Sequence, residues 1–290
     1  MKIYIDGRYY SEKTAKISVF DHGLLYGDGV FEGIRAYNGR VFRLDQHIDR
    51  LYESAKAIVL NIPMTKAQMI QATVQTCRKN KMQDGYIRLV VTRGTGYLGL
   101  SPYKCKHPTV FIIAATIELY PPELYTKGLD MITVATWRTP AASMSPQIKS
   151  LNYLNNIMAK VEAIQAGCSE AVMLNHQGFV AECTGDNIFV LKSGALKTPP
   201  ISAGALDGIT RRAVIELAKQ EGIPVEEPTM TRFDLYNADE CFLTGTAAEV
   251  IPVARIDSRQ IGNGKPGKTT LRFIEKYREL TNSEGTPIYS

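Results

Sequence analysis

The sequence is poor in the patterns that announce many function classes. Its five cysteines, Cys77, Cys105, Cys168, Cys183 and Cys241, are scattered and never spaced C-x-x-C. That argues against a disulfide framework or a zinc site and favours a reducing cytoplasm. Long apolar runs are missing: the most apolar, TVFIIAATI at 109–117, is far too short to cross a bilayer. The opening MKIYIDGRYY reads as a strand and turn rather than a signal peptide. Charge of one sign is nowhere concentrated. A net charge of +5 comes without a basic block or an aromatic-interleaved basic stripe, which speaks against nucleic acid and suits anionic small molecules. The four histidines show no metal-ligand spacing. There is no G-x-S-x-G, no P-loop, no dinucleotide glycine fingerprint, no repeat and no low-complexity segment.

What remains is an ordinary globular composition, 44% hydrophobic and 22% charged over 290 residues, enough for a large core and two domains. KIYIDGRYY reads as a hairpin turning at Asp6-Gly7, and GVFEGIRAYNGRVFRL as two strands around Asn38-Gly39. Helices are expected at about 45–59 and 65–80, then strands at GYIRLVVTRG and TVFIIAATI. Pro121-Pro122, in LYPPELYTKG, stops any regular element. The expected organisation is a small N-terminal domain at 1–118, a linker at 119–128 and a larger domain at 129–290. In the larger part, LDMITVATW, EAVMLN, FVAEC, NIFVLK, ECFLTG and VIPVARI read as strands, with a short one at 223–226. Helices are expected at 151–166, 209–221 and 268–280. Helices and strands interleave without clean βαβ units, so the fold class is α+β.

Several residues stand out chemically. Gly208 precedes a helix whose apolar side includes Ile209, Ala213, Val214 and Leu217. The first N–H groups, of Ile209 and Thr210, offer a phosphate site or an ordinary helix start. In FLTGTAAEV, Thr244 to Ala248 form a small-residue turn, either an anion-binding nest or a plain tight turn. Glu182, among apolar and small residues in GFVAECTGDNIFV, is a solvent-facing strand residue or an acid in need of a positive partner. Arg50 lies on a helix, where an exposed salt bridge is the plain role. His22 and His47 are candidate acid–base groups or structural histidines; His107 and His176 fall in loops.

Lys149 is the most informative. It lies just before the helix whose Leu154, Ile157, Met158 and Val161 recur at i, i+3, i+4 and i+7. A lysine at a helix N-terminus stabilises nothing, because that end is already positive. If the helix starts at Leu151, the same potential lowers the lysine's pKa from about 10.4 and frees its amine for Schiff-base chemistry. A nucleophilic lysine, an isolated acid, a phosphate-type helix start and a nest together match the demands of pyridoxal phosphate.

With these motifs in place, the sequence resembles the class IV (fold type IV) pyridoxal-phosphate aminotransferases, and within them the branched-chain amino acid aminotransferases. The resemblance runs from VFDHGLLYGDGVFEGIRAYNG to FLTGTAAEVIPV, nearly the whole chain. It implies a two-domain enzyme with a small α/β domain and a larger β-rich one. Lys149 in IKSLNYLNN would carry the cofactor and shuttle the substrate's Cα proton. Tyr153 would bond the ring's phenolate oxygen, and Glu182 the pyridinium nitrogen. Arg50, Ile209, Thr210 and Thr246 would hold the phosphate. The N–H groups of Thr246 and Ala247, near Tyr86, would take the α-carboxylate. Tyr26 and Phe31 would line the side-chain pocket, and Arg88 with Tyr26 would take glutamate's γ-carboxylate. Tyr86 and Arg88 would reach across from a partner subunit, which implies a homodimer or a higher oligomer such as a hexamer. The reaction implied is ping-pong transfer of an amino group from leucine, isoleucine or valine to 2-oxoglutarate.

Three rivals share the scaffold. D-amino acid aminotransferases typically follow TRG with an arginine–x–histidine element, whereas here Arg93 is followed by GTGYLGLSPYKC. Aminodeoxychorismate lyase should favour a large cyclic anion, for which no motif is present. An inactive relative serving as a binding module would not need Lys149, Glu182 and Arg50 together.

Overall fold

The computed structural model describes residues 1–117 and 120–289. Glu118 and Leu119, on which the expected domain border falls, lie outside the described residues. The chain divides into two compact units. One comprises Met1–Ile117, Ile148–Asn152 and Thr281–Ser290; the other comprises Glu118–Gln147 and Tyr153–Leu280. Residues 148–152 and 281–290, expected with the C-terminal part, therefore group with the first unit.

In the first unit β1 (Lys2–Ile5) and β2 (Arg8–Ser11) turn at Asp6 and Gly7, with φ of 45° and 85°. After the short helix α1 (His22–Tyr26), β3 (Gly29–Tyr37) and β4 (Arg40–Val41) turn at Asn38 and Gly39, with φ of 47° and 72°. Positive φ at both central residues is the turn whose twist fits an antiparallel hairpin. The helices α2 (Leu44–Ala57) and α3 (Lys66–Lys79) precede β5 (Gly85–Thr92) and β6 (Thr109–Ala115). The sheet order is Thr286–Pro287, β4, β3, β5, β6, β1, β2.

The sequence of α2 explains how it packs. Leu44, Ile48, Leu51 and Ala55 recur at helical spacing and are all but inaccessible, in one core with Val30, Ile34, Ile87 and Leu89 of β3 and β5. Each large aliphatic side chain buried this way stabilises by roughly 1.5–3 kcal/mol. Successive strand residues point to opposite faces. Val30, Glu32 and Ile34 therefore share the α2 face. Phe31, Gly33 and Arg35 lie on the other, paired in register with Val90, Arg88 and Tyr86 of β5.

Residues 149–151 run beside β3. The Phe31 amide donates to the Lys149 carbonyl and the Leu151 amide to the Gly29 carbonyl, each at 3.0 Å. A bridge joins Val30 and Ser150. These bonds tie Lys149 to the first unit.

The second unit begins with the short helix α4 (Leu124–Lys127) and β7 (Leu129–Thr133). The expected linker is thus partly structured, and Tyr120 within it is buried. Then come α5 (Leu154–Gln165), β8 (Glu170–Leu174), β9 (Val180–Cys183), β10 (Asn187–Lys192) and β11 (Ala195–Lys197). They are followed by α6 (Ile209–Gln220), β12 (Val225–Glu226), α7 (Arg232–Tyr236), β13 (Glu240–Gly245), β14 (Glu249–Ile256), β15 (Arg259–Gln260) and α8 (Lys268–Ser283). The sheet runs β12, β11, β10, β13, β14, β7, β8, β9, with β15 beside β14. Phe189 and Phe242 stack at 5.2 Å on neighbouring strands.

One expectation about α5 is corrected. It begins at Leu154 rather than Leu151, so Lys149 lies beyond the one turn over which the helix-end potential acts. Its apolar stripe does not face this chain's core. Leu154, Ile157, Met158, Val161 and Ile164 are exposed, Leu154 by 69%, while Asn156, Ala159 and Ala163 are buried.

Candidate active site

Each unit carries its own set of candidate residues. In the first, the Lys149 amide donates to Ser54 Oγ of α2 at 3.1 Å, and the Lys149 ammonium stands 4.6 Å from the centre of the Phe31 ring. The Arg88 guanidinium lies 4.5 Å from that same ring and 5.4 Å from the Tyr86 ring. The pleat brings these together, since Gly33 pairs with Arg88 one step along from Phe31. Gly33 also leaves room for Tyr86: a β-carbon at position 33 would collide with the phenol oxygen. Tyr86 and Arg88 thus gather at Phe31 and Lys149 within one chain, whereas the expectation has them reach across from a partner. Tyr26, at the end of α1, is 38% exposed and sits edge-on to His22 at 5.0 Å. The His22 ring meets the Tyr97 carbonyl at 2.9 Å, a structural role.

Behind this face lies a buried ionic cluster that the sequence reading missed. Glu32 accepts from Arg50 Nε and Nη2, both at 2.8 Å, and its Oε2 pairs with His47 Nδ1 at 2.7 Å. Arg50 is therefore not an exposed salt-bridge residue. Burial alone would raise the Glu32 pKa, but the Arg50 charge overcomes it and the carboxyl falls to about 2. Burial lowers the His47 pKa despite the adjacent carboxylate. The arrangement is an ionised Glu32 receiving a proton bond from a neutral imidazole. The signal in the sequence was an acid in the middle of an apolar strand, GVFEGIRAY.

In the second unit Glu182 is buried on β9, which settles against the solvent-facing reading. Its positive partner is Arg138, whose Nη2 lies 2.6 Å from Glu182 Oε1. Glu182 Oε2 accepts from the Leu206 amide at 2.9 Å and from Asn187 Nδ2 at 3.1 Å. Arg138 is itself held by Asn156 Oδ1 at 2.8 Å. Three donors fix an ionised carboxylate in a dry setting, as a buried charge requires. Arg138 was missed because it stands in the loop sequence TWRTP, where nothing marks burial.

The helix start proposed for phosphate lies beside Asn187. Gly208 caps α6 without a side-chain bond, and a β-carbon there would collide with Asn187 Oδ1. Ile209 and Thr210 are buried at this helix end, with Thr210 Oγ1 3.5 Å from the Tyr277 hydroxyl. Thr246 and Ala247 sit half-buried in the loop joining β13 to β14. Glu249 closes that loop at φ 60°. Tyr153 is the half-buried residue before α5.

Comparison with known proteins gives a consistent result. The sequence model of amino-transferase class IV matches residues 29–256. A Methanocaldococcus jannaschii protein provisionally named a branched-chain-amino-acid aminotransferase is 54% identical over 289 residues, covering 100% of this chain and 99% of that protein. The crystal structure of the Escherichia coli branched-chain amino acid aminotransferase superposes with a TM-score of 0.95 at 35% identity, covering 98% of this chain and 95% of its own. The Thermobaculum terrenum branched-chain amino acid aminotransferase, in its PLP-bound holo-form, gives 0.90 at 31% identity, covering 100% of this chain and 98% of its own. The chain belongs to the class IV aminotransferases, enzymes that use pyridoxal phosphate as their cofactor.

Proposed function

We propose that the chain transfers the amino group of leucine, isoleucine or valine to 2-oxoglutarate in two half-reactions. The observation that carries this reading is the cluster on β3 and β5. Phe31 offers an apolar wall, and Arg88, stacked on it, offers a cation. An aminotransferase for these substrates must take an aliphatic side chain and a γ-carboxylate in turn, and that pairing supplies both.

The residues present fit the cofactor chemically. Lys149 has the amine for its aldehyde. Glu182, held ionised beside Arg138, suits a protonated ring nitrogen. Tyr153 would bond the phenolate oxygen. Arg50, Thr246 and the first N–H groups of α6, at Ile209 and Thr210, would hold the phosphate. When bound, the cofactor supplies the sink for the electron pair left at the substrate's Cα.

The chain does the rest. Lys149 would take the proton from Cα and return it to the cofactor carbon on the other side of the amino nitrogen, two bonds away. Asn187 and Arg138 keep Glu182 oriented. The N–H groups of Thr246 and Ala247 would seat the α-carboxylate, with Tyr86 near it, while Tyr26 and Phe31 enclose the side chain.

Incubation with leucine and 2-oxoglutarate should yield glutamate. Pyruvate from aminodeoxychorismate, or activity confined to D-amino acids, would replace this reading by a rival. In the same assay Arg88→Ala should lower kcat/KM for 2-oxoglutarate about tenfold more than for leucine, the effect of losing one charge-assisted contact. Equal losses would remove Arg88 from the γ-carboxylate site.

The working form we propose is a cytoplasmic homodimer or higher homo-oligomer. Its support is the outward stripe of α5, five large apolar side chains on one helix face. All five cysteines are unpaired, in keeping with a reducing compartment. Among the described residues no helix is long and apolar enough to cross a membrane. Light scattering should give at least a dimer mass, and Ile157→Lys with Ile164→Lys should lower it. A monomer with full activity would defeat the proposal.

A further inference from the structure

A second set of buried acids lies in the same unit as Glu182, and no step above uses it. Glu170 on β8 and Asp186, in the turn between β9 and β10, are both almost fully buried. The Tyr120 hydroxyl stands between them, 3.2 Å from Glu170 Oε2 and 3.3 Å from Asp186 Oδ2. One phenol hydrogen cannot satisfy both carboxylates. Two like charges sharing a dry site disfavour double ionisation. Burial, with the Glu170 charge adding to it, pushes Asp186 up to about 7.

The pair is joined to Glu182 by two routes. Glu170 Oε1 accepts from the Thr184 amide at 3.1 Å and the Thr184 hydroxyl at 2.5 Å. The Thr184 carbonyl accepts from Asn156 Nδ2 at 2.7 Å, and Asn156 Oδ1 accepts from Arg138 Nη1 at 2.8 Å. Arg138 then pairs with Glu182 Oε1. By the second route, the turn closes through the Cys183 amide on the Asp186 carbonyl at 2.8 Å, and the next residue, Asn187, donates to Glu182 Oε2. Asp186 also packs on Gly245, where any β-carbon would collide with its Oδ1. Gly245 leads directly into Thr246 and Ala247.

We propose that Asp186, with Glu170 and Tyr120, is a positioning residue whose buried carboxyl, bonded by the Tyr120 hydroxyl and packed on Gly245, holds the 184–187 turn and thereby fixes Glu182 and the Gly245–Ala247 turn. This rests on the reading that Glu182 serves the cofactor ring. Ionisation of Asp186 sets a second negative charge against Glu170 and loosens the turn at both ends. The groups facing Asp186 are Glu170 from β8, Tyr120 from the segment before α4, Lys160 from α5, and Glu182 and Cys183 from β9. Lys160 is bonded to Glu170 Oε2 at 3.1 Å, so its charge is directed to that partner.

The test uses the full-length chain with ¹³C-labelled glutamate carboxyls, the Glu182 signal being assigned from Glu182→Gln. In the wild type this signal should shift with a midpoint near pH 7, and in Asp186→Asn it should stay fixed between about pH 6 and 8. A flat wild-type signal, or a shift that persists in Asp186→Asn, overturns the proposal. Cofactor retention by the holoenzyme gives a second measure. Asp186→Ala should release cofactor about tenfold more readily, and Asp186→Asn, the shape of the protonated acid, should restore retention. Equal release by both variants, or none by Asp186→Ala, counts against it. If Glu182→Gln leaves the cofactor's absorbance unchanged, the role of Glu182 fails while the carboxyl titration still decides that of Asp186.

Discussion

Lys149→Ala should lower glutamate formation from leucine and 2-oxoglutarate by at least about 10³-fold while leaving the circular dichroism spectrum unchanged. The size follows from two losses at once. Proton transfer by a positioned side chain is worth roughly 10²–10⁴ in rate. The amine proposed to hold the cofactor aldehyde is lost as well. The fold should survive because the segment is tied through backbone atoms, the Phe31 amide to the Lys149 carbonyl and the Lys149 amide to Ser54. Alanine keeps all of these. Borohydride reduction of the wild type, followed by peptide mapping, should place the cofactor label on the peptide containing Lys149. A variant that transaminates at the normal rate, or a label on another lysine, would remove the residue from its role.

The second large effect concerns stability. Glu32→Ala should destabilise the first unit by roughly 3–5 kcal/mol, the usual cost of removing one partner from a buried ion pair. It leaves the buried Arg50 guanidinium without the carboxylate that binds it through two nitrogens. The pH dependence has a definite sign. Glu32 has its pKa lowered from 4.5 to about 2 in the fold. A lowered acid contributes stability that is present above the unfolded value and lost as pH falls through the folded one, here from 4.5 down to about 2. A shift of that size corresponds to about 3 kcal/mol, of the same order as the mutational estimate. His47, lowered by burial, acts in the same direction: its contribution begins to be lost as pH falls below 6.5. Urea unfolding at several pH values should show the wild type losing more stability on acidification than Glu32→Ala. A variant within about 1 kcal/mol of the wild type at pH 7 would mean the cluster is not a stabilising unit.

Much of the fold could be read locally. The hairpins at Asp6-Gly7 and Asn38-Gly39 follow from residues that accept positive φ. The stripe of α2 follows from Leu44, Ile48, Leu51 and Ala55. What could not be read is decided by distant partners. Residues 149 and 150 look like a loop in sequence and 151 like a helix start; they become a strand-like edge only through β3. The apolar stripe of α5 has the spacing of a core helix, yet Ala159 and Ala163 point inward, because small residues suit the close approach to β8. Glu182 was legible as an acid needing a partner. Arg138, 44 positions earlier in the numbering, was not, since no local pattern joins the two. Glu32 and Asp186 carried a weak signal, an acid among apolar or turn residues, whose meaning depends on Arg50 in one case and Glu170 in the other.

The bare backbone at position 33 bears on how substrate preference could change. The nearest atoms a methyl group there would meet all belong to the outer end of the Tyr86 side chain, none of them to the main chain. The lining beside Phe31 and Arg88 is thus adjustable at small structural cost, from a residue that performs no chemistry. Under the proposed reading, a change at position 33 would reshape the amino-donor pocket while leaving Lys149 and Glu182 as they are.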